Sequence, residues 1–203
     1  MKQNKIYVMI HCFFNQNLDK LKEQINFLSK TSKYEGVIFN GINTIDPSIH
    51  YNEKEIKDLI EFVKSLSVKV GVVRYDDTSI KLDKFIDKYE LSIDFELCFD
   101  DKGQLECLVF KDKTRIPVVG AYLSTPRKFD TPEGFKEVID YVLENKILES
   151  IIYLPNVKDT DEVSIDQIRN NVRGFIVDFR NNFNEENLKA FCDKMHNYNK
   201  ENV

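Results

Sequence analysis

The chain has 203 residues, 42% of them apolar and 31% charged, with a formal net charge of −5. That length suits one domain with a substantial core and leaves little room for two, so residues 1–203 are read as a single α/β domain. The acid excess offers no basic field for a phosphate backbone, which argues against nucleic acid, and no run approaches the ~20 apolar residues of a membrane span.

The first element, KIYVMIHC, is a short apolar run that contains His11 and lacks a small-residue cleavage site after it, so it reads as a core strand rather than a signal peptide. LDKLKEQINFLSKT follows with Leu18, Leu21, Ile25 and Leu28 at helical spacing. EGVIFN is a buried-type strand, and NEKEIKDLIEFVKSLS is an amphipathic helix with Ile56, Leu59, Ile60 and Val63 on one stripe. VKVGVVRY is a third strand and SIKLDKFIDKYE a shorter helix.

The alternation then breaks. LSIDFELCF and QLECLVF are joined by DDKG, a hairpin signature expected to turn at residues 101–103, and KDKT leads on to RIPVVGAYL without a helix between. Regularity resumes with TPEGFKEVIDYVLENK, where Thr131 is the expected N-cap and Pro132 the first helical residue. ESIIYLP is a strand, VSIDQIRNN a short helix or turn, RGFIVDF a strand and NEENLKAFCDKMHNY the closing helix.

Seven strands able to run parallel, plus one antiparallel ribbon strand, predict a small or incomplete (β/α) barrel-like domain. The alternative is an open doubly wound sheet. The regular repeat over almost the whole chain favours the barrel, while length counts against it, because a complete eight-fold barrel typically needs about 250 residues. In particular, 36–40, 68–74 and 175–179 are expected to lie close together in one mainly parallel sheet.

Cys12, Cys98, Cys107 and Cys192 show no Cys-x-x-Cys spacing, which suits reduced thiols and a cytoplasmic location. With seven glycines and no Gly-x-Gly-x-x-Gly, Walker or His-Glu-x-x-His motif, the chain calls for no dinucleotide and no other cofactor. No spacing of acids and histidines identifies a metal site, and nothing fixes an oligomeric state.

Ligands of both candidate architectures bind beyond the carboxyl ends of parallel strands, so the polar residues there are the candidates. His11 ends the first strand, Asn40 the second, Arg74 the third, and Tyr122, Tyr153 and the Asp178/Arg180 pair follow in later strands. Asp94 and Glu96 alternate with Ile93, Phe95 and Leu97 and share one face. His50 and His196 read as surface residues. Glu96, Asp178 and His11 are the expected acid/base groups, with Asp178 the better base and Glu96 the better proton donor. Arg74 and Arg180 are the expected anion clamps, with Asn40, Tyr122 and Tyr153 as further ligand contacts. Each has a plainer reading: Arg180 with Asp178 as a surface ion pair, Asp94 and Glu96 as the wet side of a ribbon.

The resulting expectation is a hydrolase or lyase using acid/base chemistry on a small polar substrate of sugar or nucleotide type with an anionic group. The alternative is a non-enzymatic module on the same scaffold that binds a ligand or another protein.

Overall fold

The computed structural model describes residues 5–12, 17–31, 33–42, 52–75, 79–100, 104–120, 140–147, 149–154, 172–178 and 185–201. In chain order these form β1 (Lys5–His11), α1 (Leu18–Thr31), β2 (Gly36–Asn40), α2 (Glu53–Ser65), β3 (Lys69–Arg74), α3 (Ser79–Lys88), β4 (Phe95–Phe99), β5 (Leu105–Phe110), β6 (Arg115–Val119), β7 (Ile151–Leu154), β8 (Gly174–Asp178) and α4 (Glu185–Glu201). Residues 140–144 are also helical, inside the segment where a helix is expected. The expected hairpin turn at 101–103, the Thr131/Pro132 helix start and the 163–171 segment lie outside the described residues.

The eight strands close into a barrel in sequence order. β8 pairs with β1 in parallel, Lys5 opposite Gly174 and Met9 opposite Asp178, which rules out the open sheet. β2 lies between β1 and β3, as expected for a sheet built by crossovers. Only β5 runs against its neighbours, antiparallel to both β4 and β6. That strand explains how a chain shorter than a typical barrel still closes completely. Parallel strands need a crossover of a dozen or more residues, whereas β4, β5 and β6 are joined by hairpins.

Alternation divides the strand residues between two cores. Tyr7, Met9, Ile38, Val73, Phe95, Leu97, Leu108, Ile116, Val118, Ile151 and Ile176 fill the barrel interior. Their neighbours Ile6, Val8, Ile10, Val37, Phe39, Val70, Ile152, Phe175 and Val177 face outward against the helices. On the helix side, α1 contributes Leu21, Ile25 and Leu28, and α2 contributes Ile56, Leu59, Ile60 and Val63, the stripes legible in the sequence. Asn52 caps α2 through a reciprocal capping box with Glu55, satisfying two otherwise orphaned backbone N–H groups. Leu188, Phe191, Cys192 and Met195 bury α4 in the same layer, where the Phe191 ring meets Phe175 edge-on at 5.6 Å.

The lower end of the interior is packed by size complementarity. Gly36 and Gly71 leave room for the Phe95 ring, which also meets Tyr7 edge-on at 5.2 Å. Among the described residues, no helix is long and apolar enough to cross a membrane.

Candidate functional site

Interior parity carries polar side chains to the carboxyl end of the barrel. His11 follows Tyr7 and Met9 on the inward face of β1, Asn40 follows Ile38 on β2, Tyr75 follows Val73 just past β3, Tyr153 follows Ile151 on β7, and Asp178 follows Ile176 on β8. Register sets their relative heights: His11 is level with Asn40, Met9 with Asp178, and Tyr153 with Ile176. The interior residues that precede them on the same strands, Met9, Ile38, Val73 and Ile176, are apolar.

These side chains form one hydrogen-bonded chain that crosses adjacent strands in the order β7, β8, β1, β2, β3. The Tyr153 hydroxyl donates to Asp178 Oδ2. His11 Nε2 lies 2.6 Å from Asp178 Oδ1. Asn40 Nδ2 lies 3.3 Å from His11 Nδ1, and the Tyr75 hydroxyl donates to Asn40 Oδ1 across 3.3 Å. The Tyr75 ring is itself stacked on Phe99, centroids 4.7 Å apart.

Exposure decides how such a group behaves. Asp178 and Asn40 are each 1% exposed, Tyr153 2% and His11 3%. A carboxylate taken out of water to that extent persists only if its oxygens are hydrogen-bonded, and here each has a donor. The arrangement can hold a carboxylate, pass a proton between carboxylate, imidazole and phenol, and present hydroxyl and amide groups to a polar ligand.

Not every candidate from the sequence reaches this end of the barrel. Arg74 and Glu96 sit on the outer face, since Val73, Phe95 and Leu97 beside them point inward. There Arg74 Nε donates to Glu96 Oε2 at 2.8 Å and Nη2 to Glu96 Oε1 at 2.7 Å, with Asp83 of α3 accepting a further bond at 2.9 Å. The expected roles of Glu96 as proton donor and Arg74 as anion clamp are therefore corrected: one strand position separates each from the interior. Asp94 also faces outward, accepting from the Val70 backbone N–H at 2.9 Å and pairing with Lys111 at 3.4 Å. Together with Glu96, Lys111 and Lys113 it lines an open cleft of about 210 Å³ beside the β4–β5 hairpin. Tyr122, Arg180 and His50 lie outside the described residues.

Tyr75 is the site member that sequence reasoning passed over in favour of its neighbour Arg74. Its signal was parity with Val73, two residues earlier. Burial pushes the thiols of Cys12, Cys98 and Cys192 each up to about 12, which makes these three poor nucleophiles. Among the described residues, no group of three or more His, Cys, Asp or Glu side chains is placed to hold a metal ion.

No family model matches the chain and no curated protein matches it. Solved structures do resemble it in shape. The phospho-2-dehydro-3-deoxyheptonate aldolase of Thermotoga maritima superposes with a TM-score of 0.59 at 10% identity, covering 98% of this chain and 70% of that one. A tryptophan synthase structure from M. tuberculosis, in an aminoacrylate- and BRD0059-bound form, gives 0.52 at 10% identity over 96% of this chain and 91% of that one. At such identity the likeness establishes a TIM-barrel type of fold and nothing about chemistry.

Proposed function

We propose that the carboxyl end of this barrel carries acid/base chemistry of hydrolase or lyase type on a small polar substrate, with Asp178 and His11 as the proton-handling pair. The observation that supports this most is the 2.6 Å contact between His11 Nε2 and Asp178 Oδ1, almost fully buried, at the carboxyl ends of two adjacent parallel strands. Catalytic groups of this fold come from the ends of different strands at that face, and the opposite face serves stability.

In this reading Asp178 accepts the substrate proton. His11 Nε2–H and the Tyr153 hydroxyl hold the carboxylate in place and delocalise its charge, and either can return a proton to the leaving group. Asn40 and Tyr75 orient His11. Arg180 and Tyr122 keep their proposed part as ligand contacts, and an anionic sugar- or nucleotide-type substrate remains the proposed class. Arg74 and Glu96 have no part in it, since each is committed to the other on the outer face.

A second reading, a ligand-binding module without turnover, has one observation in its favour: both oxygens of Asp178 already hold a donor. A structural network satisfies itself in that way.

Asp178→Asn separates the two. The amide oxygen still accepts from His11 Nε2–H, and the amide nitrogen donates to a reoriented Tyr153 hydroxyl, so both hydrogen bonds survive while the charge is lost. Stability is expected to change by only about 1 kcal/mol. Against a panel of nitrophenyl glycosides and nitrophenyl phosphate esters, the native chain is expected to turn over at least one compound and Asp178→Asn none. Compounds that raise the melting temperature of both proteins without turnover in either would favour the binding module.

A further inference from the structure

The hydrogen bonds across the barrel mouth have a direction, and Asn40 sets it. A tyrosine hydroxyl at 3.3 Å from Asn40 Oδ1 donates its proton to that oxygen. With Oδ1 committed to Tyr75, the Asn40 NH2 group is the part turned toward His11, 3.3 Å from Nδ1. An NH2 group only donates, so Nδ1 meets it as an unprotonated acceptor. The single proton of the neutral imidazole is then on Nε2, facing Asp178 Oδ1 at 2.6 Å. Every bond in the chain thus runs toward one acceptor, the Asp178 carboxylate, with Tyr153 arriving from its other side.

We infer that Asn40 is a positioning residue that holds His11 in the Nε2–H tautomer, and that Tyr75 fixes the orientation of the Asn40 amide. The inference rests on the proposed acid/base reading for its functional meaning, but its structural content stands separately. Protonating Nδ1 would set an N–H against an NH2 group, so His11 gains a second proton only if the Asn40 amide turns over and gives up its bond from Tyr75. The ionisable groups facing His11 among the described residues are Asp178 directly, and the phenols of Tyr153 and Tyr75 through their partners.

The test is nitrogen-15 NMR of the histidine side chains in the resting protein at neutral pH. Of the three histidines, the His11 resonances are identified by their loss in His11→Gln. The native ring is expected to show a pyrrole-like Nε2 and a pyridine-like Nδ1. In Asn40→Asp a carboxylate replaces the amide donor, and Nδ1 is expected to become protonated so that both resonances move to the pyrrole-like position. Tyr75→Phe, a milder change that removes only the donor to Oδ1, is expected to shift Nδ1 toward the averaged position of an exchanging ring. A native spectrum with a pyridine-like Nε2 or two pyrrole-like nitrogens would overturn the inference. So would a His11 spectrum that neither Asn40→Asp nor Tyr75→Phe alters. Because the measurement needs no substrate, a failed turnover panel leaves it intact, and a wrong tautomer leaves the Asp178 reading to its own test.

Discussion

Arg74 grips Glu96 through two parallel hydrogen bonds of 2.8 and 2.7 Å on the outside of the barrel, and the two side chains keep 22% and 29% of their surface exposed. Bidentate geometry makes this a better pair than most, yet solvent still screens it, so its worth is about 1 kcal/mol or less. Glu96→Gln keeps one acceptor and loses the charge. It is expected to lower stability by that amount and to leave any turnover or ligand binding that depends on Asp178 unchanged. Loss of that function with an unaltered melting temperature would return Glu96 to the site.

The misplacement of Arg74 and Glu96 has a physical origin that also shows what a single sequence can carry. Strand identity, order and direction follow from hydrophobic period and from connection length, which is why the parallel strands and the ribbon strand were legible. The polar strand ends His11, Asn40, Tyr153 and Asp178 were legible for the same reason. Which face of a strand looks inward is harder, because both faces of a barrel strand are usually apolar, one toward the interior and one toward the helices. In β3 the inward Val73 and the outward Val72 are indistinguishable by type. In β4 the acids suggested a polar interior, but hairpins join β4 to β6 and the ribbon's outer face carries charge, with Glu106 and Arg115 paired there at 2.9 Å. Hydrogen bonds such as that from Tyr75 to Asn40 join residues distant in sequence and follow from register, which periodicity does not specify.

Gly71 faces Phe95 so closely that a Cβ there would stand 2.2 Å from Cε2 and 2.6 Å from Cζ of the ring. The ring is buried and held by Tyr7 on one side and Phe110 on another, so it has little freedom to retreat. Gly71→Ala is expected to cost about 1–3 kcal/mol through overpacking. Combined with Phe95→Leu it should cost less than the sum of the single changes, with a coupling of about 1 kcal/mol or more measured by urea denaturation. Strict additivity would mean that the glycine serves something other than the ring.

Tyr7 buries a hydroxyl for which no hydrogen-bond partner is found among the described residues. Burial, with the nearby Glu35 carboxylate adding to it, pushes this phenol well above its ordinary range. A buried donor left unmade costs about 1–3 kcal/mol, so Tyr7→Phe, which keeps the ring and its edge-on contact with Phe95, is expected to stabilise the protein. Each kcal/mol corresponds to a rise in melting temperature of about 2–4 °C for a domain of this size. A fall would show that the hydroxyl is satisfied, for example by an enclosed water molecule.

Glu35 ties together the amino-terminal end of the barrel, opposite the candidate site. Its backbone N–H donates to Ile6 and its carbonyl accepts from Lys69, while its carboxylate is bonded by Lys69 and lies 3.6 Å from Lys5, so one residue links β1, β2 and β3. Partial burial alone would raise this carboxyl, but the Lys69 hydrogen bond and the charges of Lys5 and Lys69 outweigh it and hold the group below its usual value. A carboxyl lowered on folding contributes stability that is fully present above the unfolded value, near 4.3, and is lost as pH falls through the folded value. Glu35→Gln is therefore expected to be less stable than the native chain at pH 7, by up to about 1 kcal/mol given the exposure of the lysines. The difference should begin to shrink as the pH falls below about 4.3 and close only below the lowered folded value, where the native carboxylate is neutralised as well. Urea denaturation of both proteins between pH 3 and 7 measures it. Parallel profiles across that range would show that the lysines do not stabilise the charged form, and that Glu35 joins the strands through its backbone alone.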